Sequence, residues 1–532
     1  MGRDFHDYLD EDKPAAESSI GSGTDKTLNS TIMKLTTANV NVLLWSTALP
    51  YICGFLLEGL AFIGDYNLVI YYPGFVGLFG MALAYPVEIL MCKNITLGYG
   101  LATASAIQKA LAKNKASLAS SYLAHYIMLS LLWSILCTIC LTPSAVPLLK
   151  FMDNHQGNER GMAYSRIVFS TQNFANIFSN SISQVLAVEN RVALNFFRHL
   201  GSSFLFILFD YIIYFISSFY SSKIPELCQS SAIAYTLAHT VISVWILCVL
   251  FKRTAFDIPI KTSLDLKLKR FWPLKPKIIK TIIVGSLPPI LFNSTIPATI
   301  LVCNILVSRY YTSLETINAS RLKFITYLRY NNLFMFINNG FNQAFITTCG
   351  FNLGLRNYGR VRQLIVASAL WTLVLSAILG ILMFIFYKSV AQLFYPILAY
   401  HQAELEWKDT QRQYEETYEA VALASLGPIW MGLFMTVSSI AQLEDKFLVF
   451  VLLQTSRIVV PIIFAISAGL LIQDNAKLLT ALPIGDGIAG MCCLTFLFYY
   501  LQKYKHLSLI EQSRKENEAL EAQIANLDAL ND

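Results

Sequence analysis

The sequence has little charge for its length. Asp, Glu, Lys and Arg together make up 14% of its 532 residues, whereas hydrophobic residues make up 55%. The mean hydropathy is +0.51. A soluble globular domain of ordinary type has about 25% charged residues, so this composition excludes that class. It predicts a chain that lies mostly in a membrane.

Several motifs that identify enzymes are also absent. The sequence has no G-x-x-x-x-G-K-[ST] phosphate loop, no G-x-S-x-G motif and no group of residues with metal-ligand spacing. The absence of the first motif argues against an ATP-driven pump, and the absence of the second argues against a serine hydrolase. We therefore expect no enzyme activity, no cofactor and no structural metal. The net charge of +6 is explained by basic loops, so we expect no nucleic-acid partner.

Long apolar runs recur along the chain. A membrane helix needs about 20 mainly apolar residues and must satisfy its backbone hydrogen bonds internally. We predict an all-α, multi-pass membrane protein with twelve such helices, of which the second and eighth are interrupted by charged residues. Their spans are 42–72, 76–110, 118–146, 162–188, 193–219, 230–251, 281–307, 318–350, 363–394, 418–442, 447–472 and 480–502.

Lys and Arg concentrate in particular loops, above all between the sixth and seventh predicted helices. Positive loops stay in the cytosol, which places both termini there and requires an even number of helices. The acidic loop 401–419 lies on the opposite side; it either forms a short helix over the outer mouth or is a solvated segment, and we favour the latter. The predicted parts are a disordered cytosolic tail 1–40, an N-terminal lobe 41–252, a basic cytosolic linker 253–280, a C-terminal lobe 281–502 and a cytosolic tail 503–532 with a short solvated helix.

The two halves of the chain contain a weak internal repeat. Residues 98–115 and residues 344–358 share a run of small residues and Gly that ends at Asn114 or Asn357. Internal repeats in membrane proteins usually form two bundles that meet around a substrate path. We therefore predict two pseudo-symmetric six-helix lobes and a transporter.

Four acidic residues lie in or beside the apolar runs: Glu58, Asp65, Glu88 and Asp210. A carboxylate at membrane depth is costly, so each is a candidate functional residue. The runs around Asp65 and Asp210 contain no Lys or Arg, so we expect both acids to be uncompensated and protonated near neutrality, as a proton-coupled carrier requires. The alternative is a protonated acid with a purely structural hydrogen bond.

An ordered series of motifs resembles the multidrug and toxic compound extrusion (MATE) transporters. Ala48-Leu49-Pro50 followed by Asp65 is similar to their first helix, and Gly350-Phe-Asn-Leu-Gly354 through Arg362 is similar to G-x-N-x-G-A-x-x-Y-x-R-V. Further matches are Gln442-Leu-Glu-Asp-Lys, Arg457 with Pro461, and Pro483-Ile-Gly-Asp486. The resemblance covers residues 42–502 and implies the two-lobe fold.

The match is closest to the DinF-like branch of that family. It implies a cation site in the N-terminal lobe formed by Asp65 and Asp210, with Gln184 nearby, that binds H⁺ or Na⁺. Two departures concern the context of Asp210: Phe206 stands where the branch has Asn, and Tyr211 stands where it has Pro.

The predicted function is therefore secondary antiport of amphipathic, cationic organic compounds or drugs in exchange for H⁺ or Na⁺. We expect Glu58, Gln442 and Asn293 in the solute cavity, with Arg457 either binding an anionic group or pairing within its lobe. One alternative is a lipid-linked oligosaccharide flippase, which needs a cationic cavity; the acids of the first lobe argue against it. A membrane-embedded transferase is a second alternative, but the His residues are isolated. We expect a monomer, with the plasma membrane as the default location.

Overall fold

The computed structural model describes most of the chain. The described residues are 33, 35–72, 74–113, 115–152, 158–177, 192–220, 224–250, 264, 266–310, 313–394, 407–444, 446–467 and 478–531.

Throughout these residues the regular structure is helical, without strands. Two π-helical segments, Glu88–Lys93 and Val168–Gln172, connect neighbouring helices. The α-helices are α1 Val40–Tyr71, α2 Gly74–Val87, α3 Asn94–Ala112, α4 Ala116–Met152, α5 Asn158–Ile167, α6 Asn173–Asn176, α7 Val192–Tyr220, α8 Ile224–Leu250, α9 Pro276–Tyr310, α10 Leu314–Phe334, α11 Phe336–Gly354, α12 Tyr358–Ile385, α13 Tyr387–Phe394, α14 Trp407–Leu443, α15 Phe447–Ser467 and α16 Ala481–Asn531.

Within the described residues, 10 helical stretches are long and apolar enough to cross a membrane. They correspond to ten of the twelve predicted spans, and the all-α multi-pass class is confirmed. The predicted fourth span, 162–188, lies partly outside the described residues. The predicted eighth span is divided into α10 and α11 at Met335. Neither helix is among the 10 apolar stretches: α10 carries charged residues such as Arg321 and Arg329, and α11 is rich in Asn and Gln.

Two predicted boundaries are wrong because charged helices continue past the apolar segments. Much of the acidic 401–419 loop is helical, since α14 begins at Trp407; residues 401–406 lie outside the described part. The tail helix is not separate, since α16 runs without a break from Ala481 to Asn531. Ion pairs at i,i+4 spacing support such an extension, and Lys515 Nζ lies 2.5 Å from Glu511 Oε1.

The two lobes meet along two antiparallel helix pairs. We call helices α1–α8 the N-lobe and helices α9–α16 the C-lobe. In one pair, α1 packs on α10 and α11, and the Tyr66 hydroxyl lies 2.8 Å from the Thr326 hydroxyl. In the other, α2 and α3 pack on α9, and Asn304 Nδ2 donates to the Ala82 carbonyl at 3.3 Å. If the twelve crossings are numbered along the whole chain, the first thus contacts the eighth, and the second contacts the seventh. This exchange between the two lobes is the arrangement that pseudo-symmetry requires.

Two glycines allow α1 to approach the C-lobe closely. A Cβ atom at Gly59 would lie 2.8 Å from the Cα of Leu333, and one at Gly340 would lie 2.7 Å from the backbone N of Ile52. Side chains at either position would push the two backbones apart, since packed interiors leave no room for extra atoms. The glycines therefore bring Asp65 on α1 within reach of α10.

The repeated motifs lie together at the end of the bundle where α1 begins, which we call the Val40 end. Gly350 packs against Gln108, which lies in the N-lobe copy of the repeat. Asn352 Nδ2 donates to the Leu35 carbonyl at 3.2 Å, and Arg360 Nε donates to the same oxygen at 3.1 Å. Arg360 also donates to the Ala38 carbonyl. The C-lobe motif thus holds the segment that precedes the first N-lobe helix.

Candidate functional site

A cavity of about 300 Å³ lies between the two lobes. Its N-lobe wall carries aromatic rings, including Phe62, Tyr85 and Tyr235. Its C-lobe wall is rich in amides, namely Asn293, Asn331, Asn332, Asn339, Asn342, Gln343 and Gln442. Ligand sites in membrane bundles are commonly apolar cavities with a few polar groups, and this cavity combines an aromatic wall with a hydrogen-bonding wall.

Cations outnumber acids among the charged residues that line the cavity. Lys93, Arg198 and Arg457 contribute three positive charges, and Glu58 is the acidic residue of the lining. The expectation that intramembrane charge near the first lobe is acidic is therefore wrong for the cavity wall. The sequence places the acids in apolar runs, but it does not show that cations of other helices surround them.

Lys93 presents its charge to the cavity from the π-helical segment between α2 and α3. Its Nζ lies 2.6 Å from Glu88 Oε1; the Lys93 side chain is 15% exposed and that of Glu88 only 1%. Glu88 also accepts hydrogen bonds from the Tyr164 hydroxyl at 2.8 Å and from Gln172 Nε2 at 2.9 Å. The acid is thus buried behind the lysine and fully bonded, so we assign Glu88 a positioning role.

The faces of three aromatic rings are already in contact with this lysine. Lys93 Nζ lies 5.3 Å from the ring centroid of Phe62, 5.1 Å from that of Tyr85 and 4.8 Å from that of Tyr235. A cation within about 6 Å of a ring face is attracted by the ring quadrupole. A cationic solute would therefore compete with Lys93 for these rings.

Glu58 lies on the cavity wall beside a basic pair on α7. Its Oε2 atom lies 2.9 Å from His199 Nδ1, and the Glu58 side chain is 24% exposed. The neighbouring Arg198 is buried, contacts the His199 ring and donates from Nε to Asn195 Oδ1 at 3.2 Å. The local charge around Glu58 is thus balanced from within the N-lobe.

Arg457 is held on the C-lobe side of the cavity. Its Nε donates to Asp486 Oδ1 at 2.7 Å, and Nη1 donates to the Phe292 carbonyl at 3.3 Å. The guanidinium also lies over the Phe292 ring, 4.9 Å from its centroid. Arg457 is thus paired within its lobe, as one of the two alternatives predicts, and it also lines the cavity; binding of an anionic group stays a prediction.

The predicted coupling acids lie together in the N-lobe, next to an arginine of the C-lobe. Asp65 and Asp210 are both buried and in contact. Asp65 Oδ2 lies 2.8 Å from Arg329 Nη2, and Asp65 Oδ1 accepts from the Ser231 hydroxyl at 2.5 Å. The prediction that Asp65 is uncompensated is therefore wrong, because its counter-charge comes from a helix in the other half of the chain.

Asp210 differs from Asp65 in its partners. Neither of its carboxyl oxygens accepts a hydrogen bond from an N–H or O–H group in the described part of the chain. The ionisable groups that it faces are the Asp65 carboxyl, with which it is in contact, and the Arg329 guanidinium. Two carboxyl groups in contact cannot both carry full charge without a proton or a cation between them. The pair is thus chemically suited to bind one positive charge.

The remaining sequence-predicted residues have clear positions. Glu58, Asn293 and Gln442 all lie on the cavity wall, and their role in binding solute stays a prediction. Gln184 lies outside the described residues. The sequence reasoning assigned no role to Lys93, Arg198 or His199. A signal was present for the last two, because an ionisable residue within an apolar run marks a functional site whether it is acidic or basic.

Comparisons with known proteins agree with this architecture. Residues 323–404 match the model of the MatE family. No curated protein sequence matches the chain. Solved structures match it along 89% of its length. One is a MATE transporter in complex with MaL6, with a TM-score of 0.71, 19% identity and 99% of that chain covered.

Two further structures extend the comparison. A multidrug resistance MATE transporter of the MOP superfamily, in an outward-facing conformation, matches with a TM-score of 0.70, 18% identity and coverage of 89% of this chain and 98% of that chain. A MOP-superfamily transporter from Pyrococcus furiosus, described as having a binding pocket of reverse polarity, matches with a TM-score of 0.72, 19% identity and coverage of 89% and 98%. The chain thus has the twelve-helix, two-lobe fold of the MATE transporters, and its residues 323–404 match the MatE family model.

Proposed function

We propose that this protein is a secondary antiporter that moves a small amphipathic organic solute across a membrane in exchange for H⁺ or Na⁺. The observation that carries the proposal is the buried Asp65–Asp210 pair. Its partner Arg329 lies over Phe62 and Tyr85, which line the cavity between the two lobes. Solute and coupling ion need not touch each other. Each needs only to prefer a different conformation, because a ligand shifts an equilibrium by its differential affinity for the two states.

The coupling role divides between the two acids. Both oxygens of Asp65 already have partners, in Arg329 and Ser231. Asp210 has no donor among the described residues, so it is the acid that gains most from a proton or a Na⁺ ion. We therefore propose that Asp210 carries the coupling ion and that Asp65 senses its presence through direct contact.

The cavity favours a solute with an anionic group. Its lining carries Lys93, Arg198 and Arg457 against Glu58, and its rings are partly covered by the cations of the protein itself. This revises the expectation of a cationic solute. The aromatic wall suits a flat apolar body, and the amide-rich wall suits hydroxyl or carbonyl groups. The Pyrococcus furiosus relative with a pocket of reverse polarity is consistent with such a change within one fold.

A lipid-linked oligosaccharide is the second candidate, since its pyrophosphate is anionic and the cavity is cationic. Volume argues against it. The cavity holds about 300 Å³, which is at the lower end of the roughly 300–1,000 Å³ typical of pockets for small molecules. A drug-sized solute fits such a space, whereas an oligosaccharide with its lipid carrier does not. We therefore favour the antiporter.

Orientation follows from the charges of the loops. Lys503 and Lys505 follow the last crossing, and Lys109 and Lys113 flank the end of α3. These residues lie at the Val40 end, and the positive-inside rule supports our proposal that this end and both termini face the cytosol. We propose a monomer in the plasma membrane, with the direction of solute movement set by the gradient of the coupling ion.

Uptake into liposomes tests the proposal. Purified protein is reconstituted, an inside-acid or an inside-high Na⁺ gradient is imposed, and entry of two dyes of similar size is followed, one an anionic amphipath and one a cationic amphipath. We expect gradient-dependent uptake of the anionic dye, and the effective gradient identifies the ion. Preferential uptake of the cationic dye would contradict the solute class, and uptake that is independent of both gradients would contradict antiport.

A further inference from the structure

Arg329 belongs to the C-lobe, but the contacts described for its guanidinium are with the N-lobe. Its Nη2 lies 2.8 Å from Asp65 Oδ2, and both side chains are almost completely buried. The guanidinium lies over two further N-lobe side chains, 4.5 Å from the ring centroid of Tyr85 and 5.2 Å from that of Phe62. One residue of α10 is thus inserted among N-lobe helices at the predicted coupling site.

The surroundings of this guanidinium are mainly acidic or phenolic. The titratable side chains that face the guanidinium, or that contact the same aromatic rings, come from five N-lobe elements. They are Asp65 and Tyr66 on α1, Tyr85 on α2, Glu88 and Lys93 on the π-helical segment, Tyr164 on α5 and Asp210 on α7. Glu88 is already paired with Lys93 at 2.6 Å. Asp65 is therefore the carboxylate whose charge Arg329 neutralises directly.

The position of the pair along the bundle determines what it can control. Asp65 lies near the end of α1 at Tyr71, and this end of the bundle is also the end of α9 at Tyr310, because α9 runs antiparallel to α2 and α3. We call it the Tyr71 end. Separation of the lobes at the Tyr71 end would draw Arg329 out of the N-lobe and leave Asp65 without its counter-charge. An unpaired buried carboxylate is strongly unfavourable.

We infer that Arg329 is the positioning residue that converts loading of the coupling ion into movement of the lobes. When the acid pair is empty, Arg329 supplies the positive charge at Asp65 and keeps the lobes together at the Tyr71 end. A coupling ion at Asp65 and Asp210 supplies that charge instead, so the lobes separate without leaving a bare carboxylate. This inference rests on the proposed coupling role of the two acids, and it gives the same residue pair a role in closing the cavity.

Distances between the lobes test the inference without measuring transport. Nitroxide labels are attached through non-canonical amino acids at Tyr71 and Tyr310, whose side chains are exposed, and electron–electron resonance gives the distance distribution in nanodiscs. In the wild type we expect a short distance at high pH without Na⁺, and a rise of the long-distance population at low pH or with Na⁺. For Arg329→Gln we expect a long-distance population that is several-fold larger without the ion and insensitive to it.

Two variants separate charge from general loosening. Arg329→Lys retains the positive charge, and we expect it to restore the wild-type response. Tyr66→Phe removes an uncharged bond between the lobes, the 2.8 Å contact with Thr326, and we expect it to keep the ion response. If Arg329→Gln does not fold, the double variant Asp65→Asn with Arg329→Gln removes both charges, and we expect it to be open without the ion.

Four results would overturn the inference. They are a closed Arg329→Gln protein that still responds to the ion, a closed double variant, an equal opening in Tyr66→Phe, and a wild type whose distances respond to neither ion. Failure of the proposed function is distinguishable, because a protein that opens with the ion but moves no solute in liposomes would contradict transport and leave the role of Arg329 in place.

Discussion

Arg457 on α15 and Asp486 on α16 form a buried ion pair, with Arg457 Nε 2.7 Å from Asp486 Oδ1 and side-chain exposures of 2% and 3%. Asp486 therefore sets the position of a cation on the cavity wall. The same arrangement occurs in the N-lobe, where the buried Glu88 lies behind Lys93. On each side of the cavity, an acid that is not part of the cavity lining holds a cation that is.

Removal of Asp486 tests its supporting role. We expect Asp486→Ala to destabilise the protein by about 3–5 kcal/mol, because Arg457 is left buried and unpaired. Thermal unfolding of the purified protein in detergent measures the change as a lower Tm. The control is Glu518→Ala, which breaks a 3.3 Å pair with Arg514 in which both side chains are 62% exposed. Exposed pairs contribute little, so an equal loss of stability in both variants would contradict the prediction.

Lys93 is expected to bind the anionic group of the solute. Lys93→Gln should raise the KM for the anionic dye by about tenfold, which corresponds to about 1.4 kcal/mol. Glu88 keeps its two hydrogen bonds from Tyr164 and Gln172 but loses its counter-charge, so the Tm of the variant is measured alongside KM to separate binding from stability. Concentration series of uptake in liposomes measure KM, and Lys93→Arg serves as the control that keeps the charge. An unchanged KM in Lys93→Gln would show that the lysine only balances Glu88.

Gly340 is expected to be intolerant of any side chain. Gly340→Val adds atoms where a Cβ already lies 2.7 Å from the backbone N of Ile52, so we expect α1 to be displaced, with a lower Tm and loss of transport. Gly359→Ala is the matched control, because the nearest atom to its Cβ is Ser508 Cβ at 3.7 Å. The control should be neutral or slightly stabilising, since alanine restricts the unfolded chain. Equal effects of the two substitutions would contradict the close approach.

Arg360 is expected to restrain the segment that leads into α1. It donates to the carbonyls of Leu35 and Ala38 across the lobe boundary. In Arg360→Ala these bonds are lost, so we expect faster amide exchange at residues 35–42 by hydrogen–deuterium exchange, because local opening depends on few contacts there. Arg362→Ala is the control, since Arg362 is exposed on the same helix. No change in exchange in Arg360→Ala would exclude this restraint.

The sequence predicts the class of fold well because its signals are local. Apolar runs and loop charges each lie within a few residues of one another, and the structure confirms the membrane helices that they indicate. Asp65 and Asp210 are detectable for the same reason, as single acids in apolar segments. Their contact, however, depends on how α1 packs on α7, which no local pattern specifies.

Pairing between helices is the part that the sequence does not reveal. Arg329 is visible as a charge that interrupts an apolar span, but its partner Asp65 lies in the other half of the chain. Lys93 and Glu88 are close in sequence, yet their pairing and their orientation toward the cavity follow from a π-helical segment. The charges on the cavity wall, on which the proposed class of solute rests, therefore follow only from the packing of the helices.

The most direct test of the central claim compares two modes of transport in Asp210→Asn. Proteoliposomes are assayed for accumulation of the anionic dye driven by an ion gradient, and for exchange of labelled for unlabelled dye without any gradient. Asn has nearly the shape of Asp, and Asp210 has no hydrogen-bond donor to lose among the described residues, so we expect the fold and the exchange to persist. The account predicts that Asp210→Asn loses gradient-driven accumulation but retains exchange, whereas accumulation at the wild-type level would contradict it.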